Sequence, residues 1–452
     1  MVIIMSGKKV LFCGSSKDFL KEEFVKESNE SNGGVAFRIP SLVNANGTLV
    51  AVIDKAMTDK DWGYIELAVR TSKDNGASWS DIKTIASPPA REITSDINNT
   101  KTAFFIDPCM AVAPNGDIIL LVTFFPESQG FHNQKLFDKN KFAYASFDGE
   151  TVSVIYDRDG AFYYVLSDGS VIDKVKAKTA YTIRGLGELY KDEEYVGNIY
   201  LNGAMGKSKL NEARTTFGAP LKAPKRSYIF MMKSSDNGES WSEPVDITGS
   251  VLDESKDGQF FAVAPGNGLT TKSGRIIMPI YTTRGTVAIY SDDNGCTWSR
   301  NRTQPYSQNV DEWCAVESPT GEIFSFGRAK LYGKTPVSFS VNNGIFWAKD
   351  KKADFKAPKC QKSAVAVGNN IYVCHPDGPR RENGVISIGQ FIYDRKGKFK
   401  NIKWNKERYE LNEGFFAYSS MAVIDNNTIG VLYEDQPSSH IIFEKIDISQ
   451  GE

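Results

Sequence analysis

Four copies of one short turn pattern, β-type runs between them, and one oversized gap predict an all-β chain: a β-propeller interrupted by a smaller, mainly β inserted domain. The copies are Ser72-Lys-Asp-Asn-Gly-Ala-Ser-Trp79, Ser234-Ser-Asp-Asn-Gly-Glu-Ser-Trp241, Ser291-Asp-Asp-Asn-Gly-Cys-Thr-Trp298 and the degenerate Ser340-Val-Asn-Asn-Gly-Ile-Phe-Trp347. Each is built for a tight turn. Asn-Gly accepts positive φ, the aspartate can bond back to nearby backbone amides, and the tryptophan packs the hairpin onto its sheet. The sequence Asp-x-Asn-Gly also imitates the start of a calcium loop, but the glutamate that should close such a loop is absent at the right offset.

The third positions of the copies fall at Asp74, Asp236, Asp293 and Asn342, with gaps of 162, 57 and 49 residues. The two shorter gaps suit one four-stranded blade each. Two blades fill only part of the long gap, so roughly 60 to 90 residues are inserted there. The insertion is expected from about Leu136 to about Lys225, leaving residues 1–135 and 226–452 for the propeller and 136–225 for the inserted domain. Within it, Thr151–Tyr156 and Ala161–Leu166 alternate as strands around Asp157-Arg-Asp-Gly160, and the Gly- and Lys-rich stretch Asn202–Lys225 reads as loop. Strand character resumes at Tyr228–Met232.

Composition excludes several function classes. Fifty-four lysines and arginines against 55 aspartates and glutamates leave no net charge to steer the chain toward nucleic acid or an anionic membrane. No stretch approaches the roughly 18 apolar residues of a membrane span. The opening MVIIMSGKKV has too short an apolar run for a signal peptide, so the expected location is secreted or cell-surface if an export segment precedes these residues, and otherwise cytoplasmic. Six cysteines without close paired spacing read as mostly reduced, buried thiols. Only His132, His375 and His440 are present, too few for a histidine-rich metal site and too scattered for a histidine triad. An enzyme with this composition would rely on carboxylates or phenols. No metal and no cofactor is expected, and a monomer is.

Ahead of the first turn lies Phe37-Arg38-Ile39-Pro40. In that order, the tetrapeptide and the four turns resemble the Phe-Arg-Ile-Pro motif and the Asp-boxes of the sialidases, and the resemblance runs from about Phe37 to Glu434. Asp61-Trp62-Gly63, Gly378–Gly384 and Glu413–Ser419 are similar to segments of bacterial sialidases that carry an inserted domain and include intramolecular trans-sialidases. The resemblance implies a six-bladed propeller acting on sialylated glycans or glycoconjugates.

It also implies a set of site residues. Arg38, Arg328 and Arg381 match the three arginines that hold the sugar's carboxylate; a planar guanidinium suits that anion because it bonds it bidentately and stays charged. Arg380 is adjacent, but the spacing to Glu-Asn-Gly favours Arg381. Glu434 matches the carboxylate that orients the first arginine. Tyr418 matches the nucleophile, a neutral phenol that the substrate's carboxylate does not repel. Glu312, sixteen residues before Arg328, matches its base; Glu317 is the rival by proximity. Asp61 matches the acid/base, with Asp59 as the alternative. Asp107 corresponds to a residue that bonds a ring hydroxyl, and Trp404 to an aromatic near the glycerol chain or aglycone.

One departure stands out. After Asp54 the family commonly has arginines, whereas this chain reads Lys55-Ala56-Met57, which puts the ring-substituent preference in doubt. The implied activity is retaining hydrolysis of terminal sialic acid through a sialyl-tyrosine intermediate. The alternatives are intramolecular transfer releasing the 2,7-anhydro sugar and, in another class, a non-catalytic sialic-acid-binding propeller lectin.

Overall fold

The computed structural model describes residues 8–13, 35–58, 60–93, 101–203, 217–307, 309–348, 351–436 and 440–449. Asp59 and much of the loop expected over Asn202–Lys225 lie outside them. Six sheets stand radially as propeller blades, and a seventh lies outside the ring.

Apolar runs such as Thr48–Ala56, Ile118–Phe125 and Ile276–Thr282 are buried along nearly their whole length. Strands covered on both faces need that composition. Blade 1 comprises Ala36–Ala45, Thr48–Ala56, Ile65–Ser72 and Lys83–Ala86, paired in that order. Blade 2 runs Phe104–Val112, Ile118–Phe125, Tyr228–Ser234 and Val245–Asp246, with Gly266–Asn267 added in parallel beside its first strand. Blade 3 comprises Phe261–Val263, Ile276–Thr282, Gly285–Ser291 and Ser299–Arg300, and Leu269–Thr270 also pairs with its second strand. Blade 4 comprises Val310–Glu317, Ile323–Ala329, Gly333–Ser340 and Lys351–Ala357. Blade 5 comprises Ser363–Val367, Asn370–Pro376, Glu382–Tyr393 and Phe399–Phe415.

Blade 6 is made of Ser419–Asp425, Thr428–Gln436 and His440–Asp447, and the early strand Lys9–Cys13 completes it antiparallel, Lys9 opposite Phe443. The two distant parts of the chain therefore close the ring together. First strands line its centre: Ala36–Ala45 touches both Phe104–Val112 and Ser419–Asp425, and Ser363–Val367 touches both Ser419–Asp425 and Val310–Glu317.

The repeated turns join third to fourth strands in blades 1 to 4. In the first, Asp74 accepts from the Ser78 amide at 2.7 Å and its hydroxyl at 2.6 Å, while the Ser72 hydroxyl donates to Asp74 and accepts from the Gly76 amide. These bonds hold the exposed Asp74 carboxyl down at about 2, and Asp293 in the third turn likewise. In the degenerate copy Asn342 keeps the backbone bond to Phe346, whose ring cannot replace the serine hydroxyl.

Each turn glycine also abuts the preceding blade. A Cβ on Gly76 would sit 2.1 Å from Phe443 of blade 6; on Gly238, 2.8 Å from Val50 of blade 1; on Gly295, 3.0 Å from Ile119 of blade 2; on Gly344, 2.7 Å from Ile277 of blade 3. The turns are thus struts between blades as well as hairpin ends. That second role is a matter of packing and needs no chemistry.

The seventh sheet is a meander of seven strands from Tyr144–Phe147 to Glu194–Asn198, five more than the two read from sequence. It departs after the second strand of blade 2 and the chain returns as the third. Its Ile155, Val171 and Leu189 share a core with Phe124 and Phe230 of that blade, where Tyr200 meets Phe124 edge-on at 4.9 Å. Cys109, Cys314, Cys360 and Cys374 are buried thiols. No helix of the described residues is long and apolar enough to cross a membrane.

Gly47 and Gly76 make a controlled pair, with φ of +86° and +83° but open space around the first. Gly47→Ala should lose only the left-handed backbone cost of about 1–2 kcal/mol. Gly76→Ala should lose about 1–3 kcal/mol more through overpacking against Phe443. Urea unfolding of both variants checks this, and equal losses would refute the strut role.

Candidate active site

Because neighbouring strands are antiparallel, the starts of the first strands and the ends of the second strands share one face of the propeller. Arg38 and Glu312 lie near the starts of their first strands, as Asp107 does, and Arg328 and Glu434 lie near the ends of their second strands. Tyr418 directly precedes the first strand of blade 6, and Arg381 directly precedes the third strand of blade 5. The repeated turns occupy the opposite face, and the inserted sheet rises from the site face.

Three of the first strands are bulged where they carry site residues. The register slips between Arg38 and Ser41, between Ile106 and Cys109, and between Val310 and Trp313. Such bulges re-aim side chains at the expense of ladder hydrogen bonds. Two share one device, a residue at positive φ followed by proline: Ile39 at +56° before Pro40 and Asp107 at +66° before Pro108. For the β-branched Ile39 this is a strained conformation. Glu434 supports it by accepting the Ile39 amide at 2.9 Å.

At the centre is Tyr418, 7 % exposed. Its hydroxyl donates to Glu312 Oε1 at 2.8 Å and accepts from Arg328 Nη1 at 2.8 Å, and the same Nη1 donates to Glu312 Oε2 at 2.5 Å. Three guanidinium carbons flank the phenol ring: Arg38 at 5.8 Å, Arg328 at 6.0 Å and Arg381 at 5.4 Å from its centroid. Arg38 pairs with Asp61 and, through Nε, with Glu434 Oε1 at 3.7 Å. Arg381 has no ion-pair partner among the described residues, which leaves its fork for an incoming anion.

Burial raises the Tyr418 phenol well above its ordinary value; Arg328 and Arg381 pull it down and Glu312 pushes it up. The resting phenol therefore keeps its proton. For Arg38 and Arg328 burial works against the charge, but the facing carboxylates, led by Glu434 and Glu312 respectively, outweigh it. Burial lifts Glu434 above the usual carboxylate range, with Arg38 opposing. Asp61 is exposed, on a loop turned by Gly63 at φ +107°.

Asp107 is buried and accepts from the Tyr281 hydroxyl at 3.3 Å, while its amide donates to Asp54 Oδ2 at 3.4 Å. Burial raises both carboxyls well above 3.8; Glu312 adds to the effect at Asp107, and Asp107 adds to it at Asp54. Asp54 Oδ1 has no hydrogen-bond partner among the described residues. A carboxyl so placed can carry a proton and donate it to a hydroxyl or carbonyl in the pocket. Sequence reading named Asp54 only as the start of a departure; its signal is a carboxylate ending the apolar run Leu49–Ile53, where a charge needs a reason. Tyr281 and Lys362, which lies behind the site, carried no motif.

Trp404 is a correction. It sits on the fourth strand of blade 5 opposite Gly389, with its ring edge-on to Phe355 at 4.8 Å and to Phe326 at 6.0 Å. The structure packs it between blades 4 and 5 and does not bring it to the cluster around Tyr418. Spacing from Tyr418 misled because the strand it lies on, Phe399–Phe415, is 17 residues long and carries the indole away from the site end.

Among the described residues no three His, Cys, Asp or Glu side chains gather as metal ligands. The chemistry on offer is an anion clamp around a phenol with a hydrogen-bonded base and an exposed carboxylate nearby.

Two family descriptions, both a BNR repeat-like domain, match residues 39–309 and 212–429. Sialidase B of Streptococcus pneumoniae is 24 % identical across 92 % of this chain, and the anhydrosialidase of Macrobdella decora 23 % across 92 %. The chain spans 64 % and 61 % of those relatives' own lengths, less than two thirds. Among solved structures, the intramolecular trans-sialidase of Ruminococcus gnavus, in complex with oseltamivir carboxylate, matches with a TM-score of 0.77 at 22 % identity, covering 92 % of this chain and 95 % of that one.

The Asp54–Asp107 pair makes a linkage prediction. Both folded-state values are raised, so the pair's contribution to stability is present below the ordinary 3.8 and is lost as pH rises. Asp54→Asn should therefore melt higher than the parent near neutral pH, the difference closing as pH falls toward 3.8. Thermal melts across that range check it; a variant that melts lower at neutral pH contradicts the assignment.

Proposed function

The chain belongs to the BNR repeat-like family, and from that membership and the geometry of its central pocket we propose an exo-α-sialidase, a retaining glycoside hydrolase that removes terminal sialic acid from glycoconjugates. The observation that carries the reading is the Arg328–Tyr418–Glu312 hydrogen-bond chain beneath a three-arginine clamp. The two curated relatives, a sialidase and an anhydrosialidase, point the same way.

In the proposed reaction Arg38, Arg328 and Arg381 hold the sugar's carboxylate and set the anomeric carbon above the Tyr418 oxygen. The phenol attacks as Glu312 Oε1 takes its proton, and the guanidiniums stabilise the charge that forms on oxygen. The glycosidic C–O bond breaks and the leaving oxygen takes a proton from Asp61. Asp61 then deprotonates the water that breaks the tyrosyl–sugar bond, and Glu312 returns the proton to Tyr418. Two inversions retain the anomeric configuration. Asp61 starts paired with Arg38, so substrate binding exchanges that pair for the sugar's own carboxylate and frees Asp61 for the leaving group.

A second reading, intramolecular transfer, is favoured by the likeness to the anhydrosialidase along 92 % of the chain. There the sugar's own 7-hydroxyl displaces tyrosine and the product lacks one water. Hydrolysis stays first, since Trp404, the aromatic expected to exclude water, lies in the packing between blades. Mass analysis of a sialyllactose digest separates the two. The lectin reading leaves the Tyr418–Glu312 bond unexplained.

Tyr418→Phe should lower turnover of a chromogenic sialoside by about 10³-fold or more while the clamp still binds sialic acid. Asp61→Asn should lower kcat/KM on sialyllactose by about 10²-fold or more, and much less on an aryl sialoside, where kcat/KM reports a first step whose leaving group needs no proton. Undiminished turnover by Tyr418→Phe would refute the mechanism.

A further inference from the structure

Lys362 is the one fully buried lysine among the described residues. Its Nζ donates to the carbonyls of Gly327 at 3.3 Å and Cys360 at 3.1 Å, and to no carboxylate among the described residues. Burying an ammonium without an ion pair is costly, and a methionine of similar length would fill the same space without that cost. A chain that keeps such a lysine gives up stability at this point, as functional sites do.

Its surroundings say what for. Gly327 directly precedes Arg328. Next to Lys362, Gln361 accepts from the Ser419 amide at 3.0 Å and donates to the Ser419 carbonyl at 2.9 Å, and Ser419 directly follows Tyr418. Ser363 bonds the Ser419 hydroxyl at 2.9 Å. The segment entering blade 5 thus grips the backbone beside the nucleophile with one side chain and the backbone beside the central arginine with the next. These two attachment points come from blades 6 and 4, the blades that also supply Tyr418 and its two hydrogen-bond partners.

We propose that Lys362 is a positioning residue for the proposed reaction: it fixes the Gly327 carbonyl, and through it the aim of Arg328 at Tyr418 and Glu312, and it supplies positive charge behind that pair. The inference rests on the sialidase reading. The groups facing its ammonium are Cys360 on its own segment, Cys314, Glu312 and Arg328 from blade 4, and His375 from blade 5. Burial pushes the two thiols up and His375 down to about 4, so near neutral pH these three carry no charge and the positive charges there are Lys362 and Arg328. Burial also lowers Lys362 to about 8, with the two cysteines opposing. Its charge is therefore lost in a range where a surface lysine keeps it.

Lys362→Met and Lys362→Gln test this on the full chain with an aryl sialoside. The parent's kcat should fall as pH rises through about 8. Lys362→Met should lower kcat about tenfold or more with less than about threefold change in KM, and should lack that alkaline limb. Lys362→Gln, which keeps an N–H for the carbonyls, should recover part of kcat and still lack the limb. Since the folded-state value lies below the ordinary 10.5, Lys362→Met should also melt higher than the parent below pH 8, the gain shrinking as pH rises toward 10.5. An active parent whose variants keep its kcat and its alkaline limb overturns the inference alone, as does a Lys362→Met that melts lower and loses kcat and KM in step. Should that variant not fold, the pH profile of Lys362→Gln decides. A parent that turns over no sialoside overturns the sialidase reading and this inference with it.

Discussion

A phenol held between a guanidinium and a carboxylate is the interaction on which the site depends. Tyr418 comes from the start of blade 6, and Arg328 and Glu312 from two strands of blade 4, yet their polar atoms meet within 2.8 Å. Arg328 and Glu312 are both buried, so removing either leaves the other's charge without its partner, at a cost of several kcal/mol. Burial also keeps the resting phenol protonated. The fold must therefore hold several blades in fixed relation, and that requirement explains features with no chemistry of their own.

The molecule divides its labour between two faces. On one, bulged first strands present Arg38, Asp107 and Glu312 at the cost of ladder hydrogen bonds and of positive φ at Ile39 and Asp107. On the other, the repeated turns press their glycines against the preceding blade, and the first and third tie off their strands with aspartate–serine and aspartate–threonine bonds. Strain is concentrated where side chains must be aimed, and regular packing where they need not be. Ring closure by Lys9–Cys13 on His440–Asp447 completes blade 6, the blade that carries both Tyr418 and Glu434.

What could be read in the sequence was whatever is local and repeated. The serine, aspartate and glycine of each turn act within eight residues, so their pattern survives in one dimension, and Phe37–Pro40 marks its own strand. The arginines were legible through flanking residues such as Gly384, where a Cβ would meet Phe416 at 2.0 Å. Trp404 was misread because residue spacing says nothing about the length or direction of the strand between two points. The five further strands of the inserted sheet were missed because many of their residues are only partly buried and polar, as in Lys178–Arg184, and give weak alternation. Asp54 and Lys362 matter through what faces them across blades, which no window along the chain contains.

On the proposed mechanism the Tyr418 oxygen becomes bonded to the anomeric carbon of a sialic acid. A sialosyl fluoride bearing fluorine at carbon 3 slows breakdown of that bond more than its formation, and peptide mass mapping of the protein after brief exposure locates the adduct. The expected result is one sugar per chain, on the peptide containing Tyr418, retained in Asp61→Asn and absent from Tyr418→Phe. A sugar found on Glu312 or Asp61, or turnover of the reagent with no adduct at any time, would contradict it.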